Sequence, residues 1–307
     1  METGFFTHPD CSRHFMGDGH PESPQRLETI EDALKEEKVD DFLLKFTAPE
    51  ASRKDALLVH SKEYLDYLDS HLPREGFVHL DMDTVMNPFT LKAAYGAVGA
   101  VTSAVDMSLE GKLKRAFCNV RPPGHHAERD RAMGFCFLNN IAIGVSRALK
   151  HPNIHRVAII DFDVHRGNGT EKIFAENENV LLCSSFQYPA FPAMEIPKGN
   201  SRLINVLLPP HSSSRKFREK VEKDWVPAIE SFAPDIFFIS AGFDGHRNDP
   251  LAELDLNESD FAWVTDLIVH FSKIYSSERI ISSLEGGYHL PSLGKSAAKH
   301  IRSLMEI

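Results

Sequence analysis

In the stretch IIDFDVHRGNG, residues 159–169, two aspartates and a histidine alternate as Asp161, Asp163 and His165. A period of two is that of an extended strand, so the three side chains are expected on one face and aimed at one point. Two carboxylates and an imidazole at the end of an apolar run are expensive to bury unless something positive neutralises them. A divalent metal does that. With no thiolate nearby, the set suits Zn²⁺, Fe²⁺ or Mn²⁺, and three protein ligands with one open position make a catalytic centre. Asp163 and His165 supply two ligands; Asp244, which follows the apolar run DIFFISAGF, is the candidate third. Two further motifs carry acid-base or donor groups. His125 and His126 stand side by side behind a Pro-Pro-Gly turn, and Tyr288 follows two glycines that permit unusual backbone angles, so its hydroxyl can be aimed at a developing oxyanion.

The elements that must position these residues are legible as alternating apolar runs and helical periods. RAFCNV (115–120), RVAIIDFDV (156–164), NVLLCSSF (179–186), DIFFISAGF (235–243) and RIISSLEGG (279–287) read as strands buried on both faces. Residues 139–151, 217–232 and 258–275 carry helical periodicity, another helix is expected after Ser61, and Asn257 or Ser259 offers a cap for the third of these. Strand alternating with helix predicts an α/β fold, one domain over residues 1–307 with a central, mostly parallel sheet flanked by helices. Irregular segments are expected at 1–24, 71–90, 121–135, 186–201 and 244–257. Four apolar runs end on their C-terminal side in titratable and glycine-rich sequence, and that edge of an open parallel sheet holds the ligand crevice.

Composition narrows the function classes. Hydrophobic residues make up 42% and charged residues 25%, which supports a buried core and excludes wholesale disorder. A net charge of -10 argues against broad binding to nucleic acid phosphates. Cys11, Cys118, Cys136 and Cys183 form no Cys-x-x-Cys pair, so a reducing, cytoplasmic setting is expected. No run of about 18 apolar residues predicts a membrane span.

The motifs RPPGHHA, GFCFLNN, DFDVHRGNGT, AGFDGHRNDPLA and EGGY resemble those of the histone deacetylase family, in its class II-like and bacterial branch. The likeness begins at GHPESPQRL (19–27) and runs through EGGYHLPSL, nearly the whole chain. It implies an arginase-like α/β fold, one catalytic zinc on Asp163, His165 and Asp244, and hydrolysis of an N-acetylated amine. On the same resemblance His126 is the general base and later the acid, backed by Asn168. His125, backed by Asp161, is an electrostatic partner, and Tyr288 the oxyanion donor. Gly134, Phe135 and Phe191 resemble the walls of an acetyl-lysine channel, and Asp161 with Ser184 matches a structural potassium site. The chain departs from the pattern at Phe186, where many relatives have histidine. It also carries Leu251 where polyamine-preferring relatives commonly carry glutamate, which favours acetyl-lysine in proteins or peptides as the substrate, with an acetylpolyamine or other small acetylamine as the alternative. Two other readings compete: a ureohydrolase with two manganese ions, for which Arg166 and Asn168 stand where extra acids are wanted, and a catalytically silent acetyl-lysine binder.

Overall fold

A computed structural model of the chain describes residues 3–197 and 199–307. In chain order the strands are β1 (Thr3–Thr7), β2 (Leu44–Thr47), β3 (Val78–His79), β4 (Val85–Met86), β5 (Arg115–Cys118), β6 (Val157–Asp161), β7 (Val180–Gln187), β8 (Leu203–Leu208), β9 (Ile236–Ala241) and β10 (Ile280–Leu284). The helices are α1 (Gln25–Glu36), α2 (Arg53–Ala56), α3 (Lys62–His71), α4 (Thr90–Leu109), α5 (Asn140–Ala148), α6 (Asn168–Phe174), α7 (Ser214–Phe232), α8 (Glu258–Tyr275) and α9 (Leu290–Met305). Eight strands form one sheet in the order β2-β1-β5-β10-β9-β6-β7-β8, every neighbouring pair parallel, while β3 and β4 make a small antiparallel pair.

The central strands are apolar along their length because helices cover both faces. All of VAIID in β6 and IFFISA in β9 is buried, and each fully buried Ile or Phe contributes roughly 1.5–3 kcal/mol of transfer free energy. Helix starts follow the capping chemistry expected of them: Ser61 caps α3, Asn139 caps α5, and Asn257, not Ser259, caps α8 in a box with Asp260.

The structure corrects several expected boundaries. Within the 1–24 segment, whose first two residues lie outside the described ones, Thr3–Thr7 is a strand inserted between β2 and β5. Five residues are too few to show a period, and their partner lies about 110 positions away. The 71–90 segment holds β3 and β4, and β7 runs two residues into the 186–201 segment, of which residue 198 is outside the described residues. The apolar run 156–164 leaves the sheet at Asp161, so Asp163 and His165 stand on the loop beyond β6 and not on a strand face.

Candidate active site

Four strands adjacent in the sheet, β5-β10-β9-β6, each release a loop at the same edge. The loop after β5 carries His125 and His126, that after β10 carries Glu285 and Tyr288, that after β9 carries Asp244, and that after β6 carries Asp163 and His165. Sequence-distant motifs meet because the strands bearing them are neighbours.

Asp163, His165 and Asp244 each offer a ligand atom, and these atoms lie within 4.8 Å of one another. Nδ1 of His165 is 3.1 Å from Oδ1 of Asp163 and 3.2 Å from Oδ2 of Asp244. Asp161 does not join them, contrary to the expectation of a shared face. Once the strand ends, the chain turns, and its carboxylate instead faces Nδ1 of His125 at 3.1 Å and accepts the N–H of Asp163. Backbone donors hold the other two carboxylates: Gly286 N–H donates to Asp163 at 2.8 Å and Val164 N–H to Asp244 at 2.9 Å. Gly286 has to be glycine, since a Cβ there would lie 1.9 Å from Oδ2 of Asp244. Burial opposes the charge on Asp163, yet the His125 and His165 imidazoles hold its carboxyl far below the usual range. Burial and the adjacent Asp163 charge push Asp244 up. Two buried carboxylates and an imidazole converging this tightly, in a cradle only glycine leaves open, fit a divalent cation.

The adjacent histidines have opposite proton affinities. Burial lowers that of His125, but the charges of Asp163 and Asp161 outweigh it and carry its pKa up to about 10. Burial, then the charges of His125 and His165, push His126 well below the ordinary imidazole value. His126 Nδ1 donates to Oδ1 of Asn168 at 2.8 Å. The Asn168 amide donates in turn to Oε1 of Glu128 at 3.1 Å, and Lys172 caps the other Glu128 oxygen at 2.7 Å.

Above this cluster is a cavity of about 250 Å³ lined by Asp83, His126, Gly134, Phe135, His165, Phe191, Leu251 and Tyr288. Phe191 stands edge-on to the His126 ring with centroids 5.2 Å apart, and Phe135 packs edge-on against Tyr288 at 5.8 Å. A Cβ on Gly134 would lie 2.5 Å from the His126 ring. Phe135 holds φ of 67°, a left-handed backbone that strains a bulky residue and projects its ring into the cavity. Burial and the Asp244 charge raise the Tyr288 phenol well above its ordinary value, so it is a neutral donor.

Other residues of the site escape sequence reasoning. Asp83, from the 71–90 segment, adds a carboxylate to the cavity wall. Glu285, quoted in EGGY only as a neighbour of Tyr288, accepts the N–H groups of Gly124 at 2.7 Å and His125 at 3.1 Å and the Ser240 hydroxyl at 3.1 Å. It thereby ties the His-His turn to β9 and β10, and burial pushes its pKa up to about 7. Beneath the turn, the buried Arg121 guanidinium grips Glu22 and the carbonyls of Cys11 and His14. Glu128 sits two positions after His126, an acid beside a histidine being the one signal that marks it. Phe186, in place of the expected histidine, is buried in β7.

Fold and site together define a parallel α/β protein with a candidate metal-binding triad at the strand ends. The chain belongs to the histone deacetylase family of enzymes: the histone deacetylase domain model matches residues 20–304. It is 36% identical to an uncharacterized Synechocystis protein over 95% of this chain and 96% of that one. Identity is 33% with a probable deacetylase of Archaeoglobus fulgidus (94% and 82% covered) and 32% with a histone deacetylase-like amidohydrolase of Pseudomonas aeruginosa (88% and 73%). The crystal structure of the HDA15 HD domain superposes with a TM-score of 0.91 at 29% identity, covering 99% of this chain and 90% of that one. The central parallel sheet flanked by helices is thus the arginase-like fold of that family.

Proposed function

We propose that the protein hydrolyses the acetyl amide of N-acetyl-lysine in proteins or peptides, with one zinc held by Asp163, His165 and Asp244. The observation that carries this reading is the largely apolar cavity that His126, His165 and Tyr288 line together with Phe135 and Phe191. Zinc bound there supplies the Lewis acidity that polarises the amide carbonyl and acidifies the attacking water. Phe135 and Phe191 hold the tetramethylene stem of the lysine, each CH₂ contributing about 0.8 kcal/mol on burial. Neutral His126 takes the water proton on Nε2 and returns it to the departing amine. The Asp161 carboxylate, 3.1 Å from Nδ1 of His125, favours the protonated ring, whose charge offsets the negative charge that develops beside it. The Tyr288 hydroxyl donates to the carbonyl oxygen as its charge grows.

A single group of three metal-capable side chains among the described residues supports one metal over a two-metal ureohydrolase centre. Arg166, where a bridging acid would be wanted, is engaged with Glu171 at 2.9 Å. The Ser184 hydroxyl is buried without a hydrogen-bond partner among the described residues, and Ser184 is register-paired with Asp161. An orphaned oxygen there supports potassium as a structural ion. No described helix is long and apolar enough to cross a membrane.

One observation favours a second substrate, an acetylpolyamine: Asp83 offers the cavity a carboxylate that suits a distant ammonium. A panel of acetyl-lysine peptides, longer acyl-lysines and acetylpolyamines, assayed with zinc content on the same sample, decides between them. Highest kcat/KM on acetyl-lysine peptides is the expected outcome; preference for acetylspermidine overturns the peptide reading.

A further inference from the structure

Two atoms of the Asn168 side chain do different work. Its oxygen accepts from Nδ1 of His126 at 2.8 Å, whereas its nitrogen faces three acceptors: Oε1 of Glu128 at 3.1 Å, the Met133 sulfur at 3.3 Å and the His126 carbonyl at 3.5 Å. Carbonyl and amino ends of an amide are nearly the same shape, so their partners choose which way round the group sits. Of these three acceptors only the carboxylate is strong. Glu128 is buried, and Lys172, itself mostly exposed, is 2.7 Å from its other oxygen.

From this chain of bonds we infer that Glu128 is a positioning residue for His126. Its carboxylate orients the Asn168 amide, and the amide carbonyl keeps the proton of His126 on Nδ1, leaving Nε2 free to accept one. The inference rests on the reading of His126 as the base. Were the amide reversed, its amino group would face Nδ1, which would then have to accept. The ring proton would move to Nε2, and the base would be lost without any change in the cavity. Because Lys172 offsets the Glu128 charge, orientation is the effect and long-range electrostatics is not. An aspartate at 168 has two equivalent oxygens and needs no orienting group.

The test reads the tautomer directly. In protein labelled with ¹⁵N-histidine and loaded with zinc, ¹⁵N–¹H correlations distinguish Nδ1–H from Nε2–H, with His126 assigned by the signal lost in His126→Gln. Wild type, Lys172→Met and Glu128→Gln, whose amide oxygen still accepts from Asn168, are expected to show Nδ1–H. Glu128→Met and Glu128→Ala, which differ in volume so that one folded variant suffices, are expected to populate Nε2–H. Each should lose at least about tenfold in kcat with KM within about twofold, and Glu128→Gln should stay within about threefold of wild type. In an Asn168→Ala background the Glu128 substitutions should cost nothing further. Glu128→Met combined with Asn168→Asp should regain Nδ1–H. Retention of Nδ1–H in Glu128→Met, or equal kcat losses with and without Asn168, overturns the inference. If wild type hydrolyses none of the acetylated amines, the proposed function falls, while the tautomer still decides the role of Glu128.

Discussion

Asp244, on the loop after β9, accepts at 2.9 Å the N–H of Val164, the residue between Asp163 and His165. One candidate ligand therefore holds the backbone that spaces the other two. Asp244→Ala removes a candidate ligand and that brace together, whereas Asp244→Asn keeps an oxygen for Val164 and replaces the oxygen that faces His165 with an amino group. Both variants are expected to purify with far less than one zinc per chain by elemental analysis, the alanine variant also melting lower. Stoichiometric zinc in Asp244→Ala would refute the ligand assignment.

Tyr288→Phe removes a neutral donor from the cavity and leaves the backbone bond from Tyr288 N–H to Asp249 in place. The expected loss is about 10²- to 10³-fold in kcat with little change in KM, since an oxyanion donor acts in the transition state. Steady-state kinetics on an acetyl-lysine peptide checks it. A change confined to KM would make Tyr288 part of the channel wall only.

Leu251 is 40% exposed at the cavity that Asp83 also lines. Leu251→Glu would give a distant ammonium a second carboxylate, and Asp83→Asn would remove the first. The Glu variant is expected to move the kcat/KM ratio toward acetylspermidine by about 1 kcal/mol, roughly fivefold, because the charge is partly solvated. The Asn variant should move it the other way. Unchanged ratios in both would show that the rim charge does not select substrate.

Glu22 supports the histidine turn from below, through Arg121, and gives a pH signature. Burial raises its pKa, but the guanidinium groups of Arg121 and Arg26 overcome that and hold it at about 2, against an ordinary 4.5. A depressed folded pKa contributes stability that is complete above about pH 4.5 and is lost as pH falls toward about 2. Urea unfolding at pH 6 and pH 3 should show wild type losing more stability than Glu22→Gln over that interval. At pH 6 the variant should be the less stable, having left two guanidinium groups without their carboxylate. Identical pH slopes in the two proteins would contradict this account.

The central strands and the residues at their ends are legible in the sequence because both kinds of signal are local. A run such as VAIID is apolar on both faces, and the acids that follow it are conspicuous against it. What escapes lies where a residue takes its meaning from a distant partner. TGFFT becomes a strand only beside β5, and LKFT of β2 is largely exposed at the sheet edge with no pattern of its own. Asp83 is one of several acids in a loop until the fold brings it to the cavity that Phe135 and Tyr288 also line. Asp161 shows the limit of period-two reasoning: alternation places side chains correctly only while the strand lasts, and here it ends on that residue.

The place of β10 in the sheet has a consequence for biosynthesis. It is the last of the described strands in chain order, yet it lies between β5 and β9 and pairs with both. Until residues 280–284 have left the ribosome, the histidine turn lacks the Glu285 carboxylate that accepts from Gly124 and His125, and β5 and β9 each expose an unpaired apolar edge. Long-range parallel pairing of this kind is slow and prone to aggregation. The nascent chain therefore carries a divided sheet until β10 emerges, and the strands that lead into His125, His126 and Asp244 are joined only when β10 slots between them.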